Sequence, residues 1–247
     1  MVGLFLIGYF ITGCLGITLC YHRLLAHRSF CTPKWLEYTI AYCGALAVQG
    51  NPLEWVSVHR WHHTQTDTAL DPHSPIEGFW WSHMGWLFAE DIRAVRCGNR
   101  DNVKDLSKQR FYRLLDATYT LNVVAHAIAI WWFGGFPALV WGMGVRLTAV
   151  YHATWLVNSA THLWGHQPYQ TGDLSRNNWW VALIAFGEGW HNNHHAFKFS
   201  ARHGLLPGQL DATWLLINVL GMLGLAWNIQ VPTPAQCEKM RKKLHAA

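Results

Sequence analysis

The sequence predicts an all-α protein, an integral-membrane helical bundle topped by a helical cap on the cytoplasmic side. Three observations carry that expectation. Charged residues make up only 13% of the 247-residue chain while tryptophan occurs 16 times, a composition suited to lipid contact with indoles at the membrane–water boundary. Mean hydropathy is nevertheless only +0.05, so apolar stretches must alternate with polar ones. The 16 histidines fall largely in the polar intervals, in clusters.

The first apolar stretch, from about Val2 to Cys20, carries no charge and at roughly 20 residues has the length of a spanning helix. It has no basic n-region and no small-residue cleavage site, so it is not read as a signal peptide. Trp35 to Gly50 is shorter and holds Glu37. Both its ends join histidine-bearing polar segments, so it is expected to dip into the interface or pack beneath the polar layer. Ala117–Phe133 and Ala138–Val157 flank Gly134-Gly135-Phe136-Pro137, a helix-breaking run, and read as a tight transmembrane hairpin. Spanning helices are thus expected over about 2–20, 117–133 and 138–157 of a single domain, 1–247. The stretch 91–113 holds Arg93, Arg96, Arg100, Lys104, Lys108, Arg110 and Arg113, whereas the hairpin turn holds no basic residue. The positive-inside bias then puts the histidine side in the cytoplasm or its equivalent. Ala212–Ile229 is ambiguous between crossing and packing, and the basic tail from Pro232 is expected on the surface.

The net charge of +5 is modest and no dense basic run precedes the tail, which argues against nucleic-acid binding. None of the six cysteines forms a Cys-x-x-Cys pair, and they read as reduced, small hydrophobes without a disulfide framework.

The chemistry sits in three boxes: His22-Arg-Leu-Leu-Ala-His27, His59-Arg-Trp-His62-His63 and His191-Asn-Asn-His194-His195. On a helix turning about 100° per residue, the rings of His-x-x-His-His fall within an arc of about 100°, and adjacent histidines point apart, so one helix can feed two metal ions. His22 and His27 are five apart, about 140° around a regular helix. They converge on one metal only if the helix ends or is distorted there. Asn158 and His162, spaced i, i+4, extend the hairpin's second leg toward the same layer. Nine imidazoles exceed what one tetrahedral zinc takes, and imidazole also suits iron. Asp67, Asp71 and Glu188 stand near the boxes, where carboxylates accept the second ring N–H of ligands. The remaining histidines, His73, His83, His126, His152, His166, His203 and His245, read as packed or interfacial residues.

These residues resemble the membrane-bound fatty acyl desaturase family, in its stearoyl-type Δ9 branch and closest to cyanobacterial and plant members. Beyond the boxes, the resemblance runs through Gly16-Ile17-Thr18-Leu19, Asp71-Pro72-His73 and Gly78-Phe79-Trp80-Trp81-Ser82-His83-Met84-Gly85-Trp86. It continues through Asn158-Ser159-Ala160-Thr161-His162, Gly187-Glu188-Gly189-Trp190 and Ser200-Ala201-Arg202-His203-Gly204.

The resemblance implies an oxygen-dependent enzyme with two Fe2+ ions and O2 as co-substrate, placing a cis double bond at Δ9 in a saturated acyl-lipid or acyl-CoA. It implies one iron on His22, His27, His59, His63 and His195, and the other on His62, His162, His191 and His194, with Asn158 holding a water. It implies a bent acyl tunnel shaped at Gln49, Trp55, Thr154 and Trp155, and electrons from a separate ferredoxin or b-type cytochrome. The membrane implied is endoplasmic reticulum, chloroplast, thylakoid or plasma membrane. Three departures stand out. Family members carry a further spanning helix before the first one here. Ser57-Val58 stands where acyl-CoA enzymes of animals have Arg-Asp, and Leu206-Pro207-Gly208 replaces a more aromatic segment. A sister hydroxylase with the same boxes and a histidine-rich metal transporter or sensor are the rival readings.

Overall fold

The computed structural model describes residues 1–89 and 100–241; Arg93, Arg96, Cys97 and His245 lie outside them. Among the described residues every regular element is a helix, and β pairing is confined to isolated bridges such as Cys31–Trp227.

Helix α1, Val2–Ala26, changes character along its length. Val2–Tyr9 is α-helical, and Phe10–Ala26 widens to i→i+5 bonding. Helices α2 (Lys34–Ala45) and α3 (Pro52–Gln65) both lie against α1. The α1–α2 approach is close enough to require glycine, since a Cβ on Gly16 would stand 2.5 Å from the Gly44 nitrogen. Helix α3 begins where local chemistry says it should: the Asn51 side chain accepts from Glu54 N–H, and Pro52 fills the first helical position. Glu37 on α2 is buried, and its carboxylate accepts from Lys34 Nζ and from Tyr112 of α4 (Arg110–Ala117), each at 2.8 Å. The second apolar stretch therefore packs along α1 through α2 rather than standing free.

Helix α5, Tyr119–Leu139, breaks at Gly135, whose φ of 67° only glycine adopts without strain. The chain reverses there. A Cβ on Gly142 would lie 3.1 Å from Ile130 Cδ1, whereas residues twelve apart on a straight helix stand about 18 Å apart. The returning leg runs through α6, Arg146–Asn158. Arg146, charged and buried in this apolar leg, reaches Thr12 Oγ1 and the Leu46 carbonyl, both at 2.9 Å. Leu46 is the C-cap of α2, so the cation meets the negative end of a helix dipole. By length and composition, Val2–Ala26 and Tyr119–Leu163 could each cross a membrane, the second as two legs.

After α6 the described chain is built from shorter helices. Helix α7 is His191–Ala196 and α8 is Ala212–Met222. Helix α8 packs onto α1, where Thr213 and Thr18 hydroxyls meet at 2.6 Å. Helix α9, Pro234–Met240, starts in a capping box formed by Thr233 and Gln236.

Candidate metal centre

The first box sits where α1 is widened. The His27 N–H donates to the His22 carbonyl five residues back at 3.1 Å, and the wider turn of i→i+5 bonding brings residues five apart closer around the axis than a regular α-helix does. The two rings come to a centroid distance of 4.8 Å. On α3, His59 and His63 share a face with ring nitrogens 3.0 Å apart, and His62 points to the other side, toward Asp71.

Facing histidines fall into two sets, each with ligand atoms within 4.8 Å of one another: His22, His27, His59, His63 and His194, and then His62, His162, His191 and His195. This exchanges the last two ligands relative to the expectation from the resemblance. His194 belongs with His22 and His63, with ring nitrogens 3.2 and 2.9 Å away. His195 belongs with the other set. Adjacent residues on a helix do point apart, but which set each serves depends on how α7 is turned against α1 and α3. The sets share a wall, with His63 and His195 centroids 4.7 Å apart.

The donor chemistry fits bound cations. Burial, with neighbouring histidines adding, holds His27, His59, His63, His191 and His194 well below the usual imidazole range, so these rings are neutral. Carboxylates face the outer nitrogens: Glu188 lies 2.6 Å from His22 Nδ1, Asp71 2.9 Å from His62 Nδ1, Asp67 3.1 Å from His162 Nδ1 and Asp173 2.8 Å from His195 Nδ1. A proton held on Nδ1 leaves the Nε2 lone pair turned inward. Among these rings, Nε2 of His22 stands 3.2 Å from His194 Nε2, and Nε2 of His162 stands 3.0 Å from His191 Nε2. His195 Nε2 is buried without a hydrogen-bond partner. Two lone pairs turned inward at such distances repel unless a proton or a cation lies between them. The nine nitrogens, with no thiolate, suit iron.

Three outer residues went unmarked by the sequence reading. Asp173 gave no signal, being 22 residues before His195 in a loop. Burial raises its carboxyl, but His195, Ser175 and Thr171 more than offset that and hold it far below the usual range. His203 and His73 read as packing residues, yet His203 Nδ1 is 3.1 Å from Glu188 and His73 Nδ1 is 3.7 Å from Asp71. Each of these carboxylates therefore stands between two histidines, in the further groupings His22–Glu188–His203 and His62–Asp71–His73. Their adjacency in the sequence, Asp71-Pro72-His73, was the available clue for His73.

Asp173→Asn removes the charge that orients His195 and keeps the shape. Metal retention is expected to weaken about 10- to 100-fold, read by competition of the loaded full-length protein against a chromophoric chelator. Unchanged retention would show that Asp173 only braces its loop.

Two cavities adjoin beside the histidines. The larger, about 390 Å³, is lined by Gln49, Trp55, His73, Thr154 and Trp155 among others. The smaller, about 50 Å³, runs between Ile17, Trp55, Thr154 and Phe186. Trp55, His59, Thr154 and Asn158 line both. Gln49 joins two of these: its Nε2 donates to Thr154 Oγ1 at 2.8 Å, and Trp55 Nε1 donates to its Oε1 at 3.2 Å.

Residues 1–207 match the family model described as fatty acid desaturase. The chain is 60% identical over 232 residues, 94% of its length, to palmitoyl-monogalactosyldiacylglycerol delta-7 desaturase of Arabidopsis thaliana, and spans 62% of that protein. To an acyl-CoA 5-desaturase of Anemone leveillei it is 54% identical over 235 residues, covering 95% of the chain and 73% of the relative. To delta-9 acyl-lipid desaturase 1 of Arabidopsis thaliana it is 49% identical over 228 residues, covering 92% and 75%. All three histidine boxes fall inside the matched stretch, and the chain belongs to the fatty acid desaturase family.

Proposed function

We propose that this chain is an oxygen-dependent acyl desaturase that forms a cis double bond in a saturated acyl chain lying in the two adjoining cavities. The observation that supports it most is the juxtaposition of a double imidazole cage with a largely apolar cavity wall formed by Trp55, Thr154 and Trp155. Two iron ions, held by the two histidine sets, supply the oxygen activation that an unactivated methylene demands. The protein's own residues supply the rest. Glu188, Asp71, Asp67 and Asp173 keep Nδ1 protonated on His22, His62, His162 and His195, so that the Nε2 of these four rings faces the metals. Asn158, at the meeting of the cavities, is placed to hold a water. The indoles of Trp55 and Trp155 exclude solvent and hold the chain at one register, since methylenes differ only by position. The balance is O2, two electrons and two protons consumed with the two hydrogens of the acyl chain, giving two waters. The electrons come from a separate carrier, a ferredoxin or a b-type cytochrome.

The substrate is an acyl-lipid or acyl-CoA; relatives carry both in their names. The position is proposed as Δ9 from the resemblance of the boxes. Δ7 is the competing reading, because the relative at 60% identity is named a delta-7 desaturase. In this reading α1 and the two legs around Gly135 cross a chloroplast membrane, with the histidine cap on its cytoplasm-equivalent side. Trp132, Phe133 and Phe136, each more than two-thirds exposed at the reversal, suit the opposite boundary.

The test is lipid profiling of a desaturase-deficient host expressing the full-length protein, with derivatisation to place the double bond. A new monounsaturated acyl chain is expected. Hydroxylated product instead would move the protein to the sister oxygenases, and an unaltered profile from iron-loaded protein would sink the reading.

A further inference from the structure

His83 and His152 lie outside both histidine sets, and the mechanism leaves them unused. His83 ends the short helix Phe79–His83 and is 3% exposed. Its Nδ1 is 3.0 Å from Ser159 Oγ, and its Nε2 is 3.0 Å from His152 Nδ1. The proton directions follow from the end of the chain. The Ser159 hydroxyl donates to the Trp155 carbonyl at 2.8 Å, so it accepts from His83 Nδ1–H. The other nitrogen of neutral His83 is then an acceptor and takes the Nδ1–H of His152. One unbroken run of hydrogen bonds thus leads from His152 through His83 and Ser159 to Trp155.

His152 lies three residues before Trp155 on α6, and Ser159, the C-cap of that helix, lies four residues after it on the same side. His83 bridges them from outside the helix and closes a loop around the indole. Both imidazoles meet the Trp155 ring edge-on, at 5.7 and 5.2 Å, while Tyr151 stacks on it at 5.2 Å. Phe79 stacks on the back of His83 at 5.2 Å and keeps that ring in plane. Trp155 lines the larger cavity.

We propose that His83 and His152 form a clamp that fixes the orientation of Trp155 and so sets which carbons of the acyl chain stand at the metals. The proposal rests on the acyl-cavity reading above. A wall that yields by one methylene relaxes discrimination between neighbouring positions, which an apolar pocket holds at about 10- to 200-fold. His83 and His152 are accordingly positioning residues, and their signature is the double-bond position rather than the rate.

The experiment expresses the full chain in a desaturase-deficient host, measures iron per purified chain and places the double bond by derivatisation and mass spectrometry. His83→Leu and His152→Leu each remove the bond between the rings while keeping apolar bulk. Both are expected to retain iron and to raise a second positional isomer at least about tenfold over the parent. Trp155→Ala serves as the reference for the cavity reading. A shift in Trp155→Ala with parental ratios in both leucine variants overturns the clamp and leaves the cavity reading standing. Parental ratios in all three overturn both. Should His83→Leu lose iron, His152→Leu decides, because it leaves the Ser159 bond in place. Loss of iron in both overturns the proposal by making the pair a support of the metal centre.

Discussion

Loaded anaerobically, the full-length protein is expected to hold about two iron ions per chain, and His62→Ala or His194→Ala to bring that to about one. The two substitutions fall in different histidine sets. His194 meets His22 and His63 at 3.2 and 2.9 Å, whereas His62 is held by Asp71 at 2.9 Å in the other set. Each leaves its buried set short of a nitrogen, so desaturation should drop below detection in either variant. The double variant should bind almost no iron. Iron analysis of purified protein checks the stoichiometry. A parent value near one, or iron retained by the double variant, would falsify the two-metal reading. A parent-like product profile in His194→Ala would count against placing it in the cage.

Arg23→Met is expected to cost about 3–5 kcal/mol of stability, because it strands two buried carboxylates. Arg23 is fully buried. Its Nε and Nη2 donate to Glu188 Oε1 at 3.1 and 3.0 Å, and its Nη1 donates to Asp211 Oδ2 at 3.0 Å and to the Ala201 carbonyl at 2.8 Å. The guanidinium thus ties α1 to the loop before α7 and to the start of α8. It also fixes the far side of the carboxylate that holds His22. For a chain of this size the loss corresponds to a melting temperature lowered by about 6–20 °C, measured by thermal unfolding in detergent. Arg23→Met melting with the parent would show that Glu188 and Asp211 find other partners. Surface pairs such as Lys104–Asp101, more than 60% exposed on both sides, serve as the control. Their loss should be within about 1 kcal/mol.

What the sequence by itself determined is local. The break at Gly134-Gly135-Phe136-Pro137 is written in residues that cannot continue a helix, and the structure reverses at Gly135 for that reason. Asn51-Pro52 starts α3 by its own capping chemistry. The grouping of histidines into boxes and the divergence of adjacent rings follow from helical period alone. That His22 and His27 need a helix that ends or is distorted was legible, but the sequence pointed to an end near Cys20, whereas the helix runs on to Ala26 with i→i+5 bonding from Phe10 onward. Only the tertiary structure decided the rest. His194 and His195 exchange sets because the turn of α7 is set by Asn192 and Asn193, which bond Tyr169, Asn177, His203 and Gln209 in neighbouring loops, and no spacing within His191–His195 encodes that. Asp173, His203 and His73 reach the centre across loops and neighbouring segments. His83 finds His152 and Ser159 across 69 and 76 residues. Each of these depends on long-range packing of buried polar groups that must find partners once water is excluded, and no stretch of sequence carries that information alone.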